Sequence, residues 1–222
     1  MRQNAEFDII VYGATGFTGR LVAEHLARTY GVGGEVKWAM AGRSADKLAA
    51  VRDEIGVPAD TPLVVADADD PASLKAMVER AKAIVTTVGP YQLYGEGLVA
   101  ACVEAGTDYL DLCGEPLWMR KMIDAHHARA QETGARIVFS CGFDSIPFEL
   151  GVFFLEQEAK ARFGKTLPRV KGRVRKMKGG FSGGTAASLK ATLASLRADP
   201  SLMALMIDPF ALTPGFKGPD QP

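Results

Sequence analysis

The chain has 222 residues, 47% of them hydrophobic, enough apolar material for one well-buried domain and part or all of a second. Lys and Arg number 26 and Asp and Glu also 26, so no whole-molecule field draws nucleic acid or an anionic membrane, and any useful charge is local. The three cysteines, Cys102, Cys113 and Cys141, lie far apart with no CxxC pair, which disfavours a disulfide framework or zinc site and points to reduced thiols in a cytoplasmic protein.

The N-terminal MRQNAEFDII lacks the apolar core of a signal peptide, and no apolar run approaches the roughly 18 residues of a membrane span. From there short β-rich runs, FDIIVY, EVKWAMA, PLVVA, AIVTTV, DYLDL and RIVFS, alternate with helical patterns at about 17–30, 45–56, 71–80, 95–105 and 117–133. Such alternation specifies right-handed β-α-β crossovers and a mostly parallel sheet covered on both faces. The expected fold is α/β, a Rossmann doubly wound sheet of about six strands over residues 1–145. Ser44 and Asp70-Pro71 supply helix-start signals, and Gly56, Gly106 and Gly134 stand where helices should end.

The first strand runs directly into GATGFTG, the residues Gly13, Ala14, Thr15, Gly16, Phe17, Thr18 and Gly19, at the start of the first helix. Strand, G-x-x-G-x-x-G and helix in that order form a variant of the dinucleotide fingerprint. The first glycine permits the tight turn, the second lets a pyrophosphate approach the backbone, and the third lets helix and strand pack closely. Free amides and the helix dipole then favour an anion, the dipole contributing about 0.3–2 kcal/mol. All seven residues are assigned to the cofactor loop.

An acidic residue at the end of the second strand would read the ribose 2′-hydroxyl, but the sequence places Arg43 and Ser44 there, which points to NADP (NADPH). Asp67, after the third strand, sits either beside the adenine or in an exposed turn. After the fourth strand, Gly89, Pro90 and Tyr91 should border the crevice near the nicotinamide, with Tyr91 and Tyr94 either proton-donor candidates or half-buried packing residues. Asp144 and Ser145 read as a cap for the next helix, and Cys141 as an inert, semi-buried thiol.

Beyond residue 145 the rhythm changes. A helix at about 147–163, a basic strand-like run PRVKGRVRKMK, the glycine cluster GGFSGG and a helix from about 185 to 197 suggest an incomplete α+β substrate or dimerisation domain over residues 146–222. It offers little opposing apolar surface, so the expectation is a truncation of a longer architecture or completion by partner chains. Residues 159–178 hold nine Lys or Arg and no Asp or Glu, leaving 17 basic against 26 acidic residues elsewhere. That run suits either an acidic carrier protein or lipid headgroup, or a solvated edge protected by lysines. GGFSGG can form an anion-accepting nest or a flexible turn.

No tyrosine is followed four residues later by lysine, which disfavours the short-chain dehydrogenases. FGKT at residues 163–166 lacks both the first glycine and the preceding strand of a P-loop. His25, His126 and His127 form no metal-ligand motif, so no metal site is expected.

VYGATGFTGRLVAEHLA, AGRSADKL, VGPYQLYGEGLVAACVEAGTDYLDLCGE, CGFDSIPFELG and SGGTAAS occur in order along nearly the whole chain. Together they resemble the saccharopine dehydrogenase-like oxidoreductases, including the trans-acting enoyl reductases of bacterial lipid biosynthesis. The resemblance implies an NAD(P)-binding Rossmann domain carrying a substrate or dimerisation domain, with hydride transfer from a reduced nicotinamide to a lipid- or carrier-linked acyl chain. A homodimer and peripheral membrane or carrier-protein contact through residues 159–178 are further expectations for this cytoplasmic chain. The competing class is a non-catalytic NADP-binding or scaffolding protein; steady NADPH oxidation separates the two.

Overall fold

Along β1 (Phe7–Tyr12) successive side chains enter opposite faces of the sheet: Ile10 and Tyr12 join one core cluster and Val11 the other. The computed structural model describes residues 5–180 and 182–219. After β1 come α1 (Phe17–Tyr30), β2 (Trp38–Gly42), α2 (Ala45–Glu54), β3 (Leu63–Val65), α3 (Pro71–Val78) and β4 (Ala81–Thr86). A single turn, α4 (Tyr91–Tyr94), leads to α5 (Glu96–Ala105), β5 (Asp108–Leu110), α6 (Pro116–Thr133) and β6 (Ile137–Val138). Three helices follow: α7 (Ile146–Phe163), α8 (Gly183–Ala198) and α9 (Leu202–Ile207).

All sheet pairs are parallel and the order is β3-β2-β1-β4-β5-β6, so the chain reverses its direction of travel between β1 and β4. This is the Rossmann order, with a crevice expected outside the carboxyl ends of β1 and β4. One core cluster joins Val11, Ala23, Leu26, Met40 and Leu48; the other joins Ile10, Ile84, Leu74, Leu98, Tyr109 and Met122. Each of the Val, Leu, Ile and Met side chains among them, fully buried, contributes about 1.5–3 kcal/mol. Two expected caps form: Ser44 Oγ accepts the Lys47 amide at 3.3 Å and Asp70 Oδ1 the Ala72 amide at 3.0 Å. Ser145 holds the N-cap position of α7 without a side-chain bond, contrary to expectation; its backbone carbonyl accepts from Phe148 and Glu149 instead.

The segment after residue 145 departs from the expected α+β pattern. Among the described residues it contains helices and no strand, and the basic run at 168–178 is an exposed irregular connection. A strand requires a hydrogen-bonding partner strand, and among the described residues this run joins no sheet. In GGFSGG, Phe181 lies outside the described residues; the last two glycines open α8, where Ser182 Oγ accepts the Thr185 amide at 3.2 Å. Helix α7 carries Leu150, Phe153, Phe154 and Leu155 exposed and buries only Ala159. No helix among the described residues is long and apolar enough to cross a membrane.

At the β5–β6 edge the Asp108 side chain, nearly buried, accepts the Arg136 amide at 3.0 Å and pairs with its guanidinium. Burial acts to raise the Asp108 pKa, but the Arg136 bonds outweigh it and hold the carboxyl below its ordinary value. A depressed folded-state pKa means that the stabilisation is present above the unfolded-state value and lost as pH falls through the folded one. Asp108→Ala is expected to lower the unfolding free energy at pH 7 by about 1–3 kcal/mol. In urea denaturation the gap between the two proteins should close as pH drops below about 4.

Candidate cofactor and active site

The turn after β1 is built by close approach. Gly13 has φ +90°, and a Cβ there would lie 2.8 Å from both Thr87 Oγ1 and Val88 Cγ2. A Cβ on Gly19 would lie 2.2 Å from the Gly13 carbonyl oxygen, so the first turn of α1 rests directly on the end of β1. The amides of Gly13 and Ala14 both donate to the Ala41 carbonyl, at 3.0 and 3.1 Å, and the Gly16 amide donates to Gly13 O at 2.9 Å. Gly16 is the N-cap of α1, has no side-chain cap, and is followed by a first turn without acidic residues. The leading amides of α1 are thus available to an anion.

A cavity of about 280 Å³ opens at this point, at the carboxyl ends of four adjacent strands. It brings together Gly13, Thr15 and Gly16 from the loop, Arg43 from beyond β2, Asp67 from beyond β3, and Gly89 and Tyr94 from beyond β4. Ala14 is fully buried beneath the loop, Phe17 points to solvent at 75% exposure, and Thr18 is half-buried outside the lining. Ser44 also lies outside it, engaged in capping α2, and Pro90 is buried behind Gly89.

Arg43 is exposed on the rim, with Asp67 and Asp69 also lining the cavity. Asp67 is held in place: its carboxylate accepts the Asp69 amide at 3.1 Å, and its own amide donates to Ser73 Oγ at 2.9 Å. Burial and the Asp67 carboxylate push the Tyr12 hydroxyl up to about 12, with Arg43 acting in the opposite direction. Tyr12 remains a protonated hydrogen-bonding group at neutral pH.

The two tyrosines separate. Tyr91 is 4% exposed; its ring stacks at 5.7 Å from Trp118, and its hydroxyl donates to Thr86 O at 3.3 Å and accepts from the Leu112 amide at 3.4 Å. Burial raises its pKa far above the usual phenol value. Tyr91 is therefore a core residue that packs behind Gly89 and does not line the crevice, which corrects its candidacy as a proton donor. Tyr94, at 42% exposure, lines the cavity.

Sequence reasoning missed Tyr12, Gly42, Ala68, Asp69, Thr87 and Val88 as lining residues. The available signal was position alone, since each ends a strand or lies within four residues after one at the carboxyl edge of the sheet. A second cavity of about 330 Å³, against α6 and β6, is lined mainly by apolar groups with His126 and His127 and contains none of the expected site residues. Cys141 is half-buried, and burial raises its pKa, as expected of an inert thiol. No group of metal-ligating side chains occurs among the described residues. Gly19→Ala sets its new Cβ against backbone that cannot swing aside, so it should destabilise by about 1–3 kcal/mol in urea denaturation.

The family model of the saccharopine dehydrogenase NADP binding domain matches residues 9–138, which include the whole crevice lining. A Mycobacterium tuberculosis protein (strain H37Rv), provisionally named a trans-acting enoyl reductase, is 50% identical over 210 residues, covering 94% of this chain and 49% of its own length. The trans-acting enoyl reductase of Mycobacterium ulcerans is 46% identical over 94% of this chain and 50% of its own. The chain thus spans about half the length of the curated relatives it matches. Among solved structures, apo saccharopine dehydrogenase from Saccharomyces cerevisiae shares the fold with a TM-score of 0.55 at 14% identity, over 70% of this chain and 32% of that one. With a family model spanning most of the chain, from β1 to the last strand of the sheet, the protein belongs to the saccharopine dehydrogenase NADP-binding-domain family.

Proposed function

We propose that the crevice binds NADP(H) and that the chain forms the cofactor-binding part of an oxidoreductase, an enoyl reductase acting on a lipid- or carrier-linked acyl substrate. The observation that carries this reading is the glycine loop at the β1–β4 switch point, with an uncapped helix start on one side and Arg43 on the rim. A Cβ at Gly13 or Gly19 would run into the protein's own strand ends, so these glycines hold the turn and seat α1 against β1, and the uncapped helix start at Gly16 is what suits a pyrophosphate. Gly13, Thr15 and Gly16 would hold the pyrophosphate, Arg43 the 2′-phosphate and Asp67 the adenosine edge, with Gly89 beside the nicotinamide. The names of the mycobacterial relatives support the enoyl substrate class.

When bound, the reduced cofactor supplies a hydride, which in an enoyl reduction adds at the β-carbon. The chain's own contribution is then to orient the substrate and protonate the α-carbon. We assign that proton to Tyr94, which lines the crevice half-exposed whereas Tyr91 is buried away from it. The exposed basic residues of 159–178 offer a docking run for an acidic carrier or an anionic headgroup, and the apolar surface of α7 offers a face for self-association.

Titration of the full chain with NADPH and NADH by calorimetry tests the cofactor reading. An Arg43–phosphate bond worth roughly 1.5–3 kcal/mol makes NADPH the tighter ligand by about ten- to a hundredfold, and Arg43→Ala should erase that preference. Binding of neither ligand would sink the reading. With a trans-2-enoyl thioester as probe, Tyr94→Phe should slow NADPH oxidation by about a hundredfold or more, whereas Tyr91→Phe should act on stability. Binding without turnover of any enoyl probe would favour the scaffolding alternative.

A further inference from the structure

Glu115 precedes α6, is 2% exposed, and does not line the crevice. Its carboxylate nevertheless reaches two other elements. Oε1 accepts the Tyr91 amide at 2.9 Å and the Ser188 hydroxyl at 2.7 Å, and Oε2 accepts the Gln92 amide at 3.0 Å. Those amides are the first two of α4, whose own N-cap residue, Pro90, has no side-chain oxygen to offer them. A side chain 24 residues away in sequence does the capping instead.

The contact continues along α8. Gln92 Nε2 donates to Thr192 Oγ1 at 3.4 Å, and Gln92 Oε1 accepts the Ser195 hydroxyl at 3.0 Å. Ser188, Thr192 and Ser195 follow helical spacing and form one stripe, half-buried against α4 while Leu189 and Leu193 stay exposed. The start of α6 supports α4 from a second direction: Trp118 packs on Tyr91, and a Cβ on Gly95 would lie 2.6 Å from the Trp118 ring. The element held in this way begins just after Gly89 and ends in Tyr94, both of which line the crevice.

We infer that Glu115 is a positioning residue, which sets the pose of the 89–94 wall of the crevice and couples that pose to the docking of α8. The inference rests on the NADP reading for its functional consequence. The adenosine end, on the β2 and β3 side, is anchored independently, while the nicotinamide side answers to a helix outside the dinucleotide domain. Glu115→Gln keeps the shape but leaves one acceptor atom where two amides require one each, so an α4 amide faces an NH₂ donor. Ser188→Ala removes the α8 link and leaves both amide bonds in place.

The test uses the full chain, with calorimetric titration of NADPH and of adenosine 2′,5′-bisphosphate, and amide exchange at Tyr91 and Gln92. For Glu115→Gln, exchange at both amides should rise at least about tenfold and NADPH affinity fall about tenfold, with bisphosphate affinity unchanged within about twofold. Ser188→Ala should shift exchange and NADPH affinity in the same direction by less, and it carries the comparison alone if Glu115→Gln does not fold. Equal weakening of both ligands would mark a general structural role and overturn the inference, as would unchanged exchange and unchanged NADPH affinity. If the wild-type protein binds neither ligand, the cofactor reading falls and exchange decides: faster exchange upholds the coupling of Glu115 to the wall, and unchanged exchange overturns it.

Discussion

Two stretches of backbone meet at the glycine loop more closely than any side chain permits, and the geometry of the site follows from that contact. The carbonyl of Gly13 lies where a Cβ of Gly19 would stand, so α1 must start directly over the end of β1. The same residue fits against Thr87 and Val88, which brings the chain beyond β4 to its side of the crevice. Hydrogen bonds from Gly13 and Ala14 to Ala41 bind the loop to the end of β2, two residues before Arg43. Substituting either glycine would therefore disturb three strand ends together.

Charge in the crevice is organised locally in a chain with no net charge. Uncapped α1 amides and Arg43 supply positive potential, and Asp67 and Asp69 stand beside them as fixed acceptors. An isolated basic groove would attract any polyanion. A rim that sets one cation beside two carboxylates favours a ligand that offers both a phosphate and hydrogen-bond donors.

Much of this architecture was legible because its determinants are local. The strand and helix periods, the caps at Ser44 and Asp70, and the helix-closing glycines each act within a few residues, and each formed as read. What escaped was decided by distant partners. Tyr91 and Tyr94 are three residues apart on one turn, and Trp118 covers the first alone, so the core residue and the crevice residue could not be told apart by spacing. The cap on α4 comes from Glu115 and is invisible to any rule about neighbouring residues. The basic run had the composition of an edge strand, but it lacks a ladder to join. Tyr12 and Thr87 were hidden because their types are unremarkable and only the register of β1 with β4 brings them to the crevice.

The seam between α4 and α8 is made of hydroxyls, an amide and a carboxylate, and Leu189 and Leu193 of α8 stay exposed beside it. Heat-capacity changes on association come chiefly from apolar hydration. Docking of α8 should thus carry little heat capacity, and its enthalpy should hold nearly constant with temperature while that of the sheet core changes steeply. On cooling, the core passes its maximum of stability and weakens, and the seam follows its own nearly straight free-energy line. The helix that touches the crevice wall and the sheet that carries the crevice should therefore respond differently to temperature within one chain.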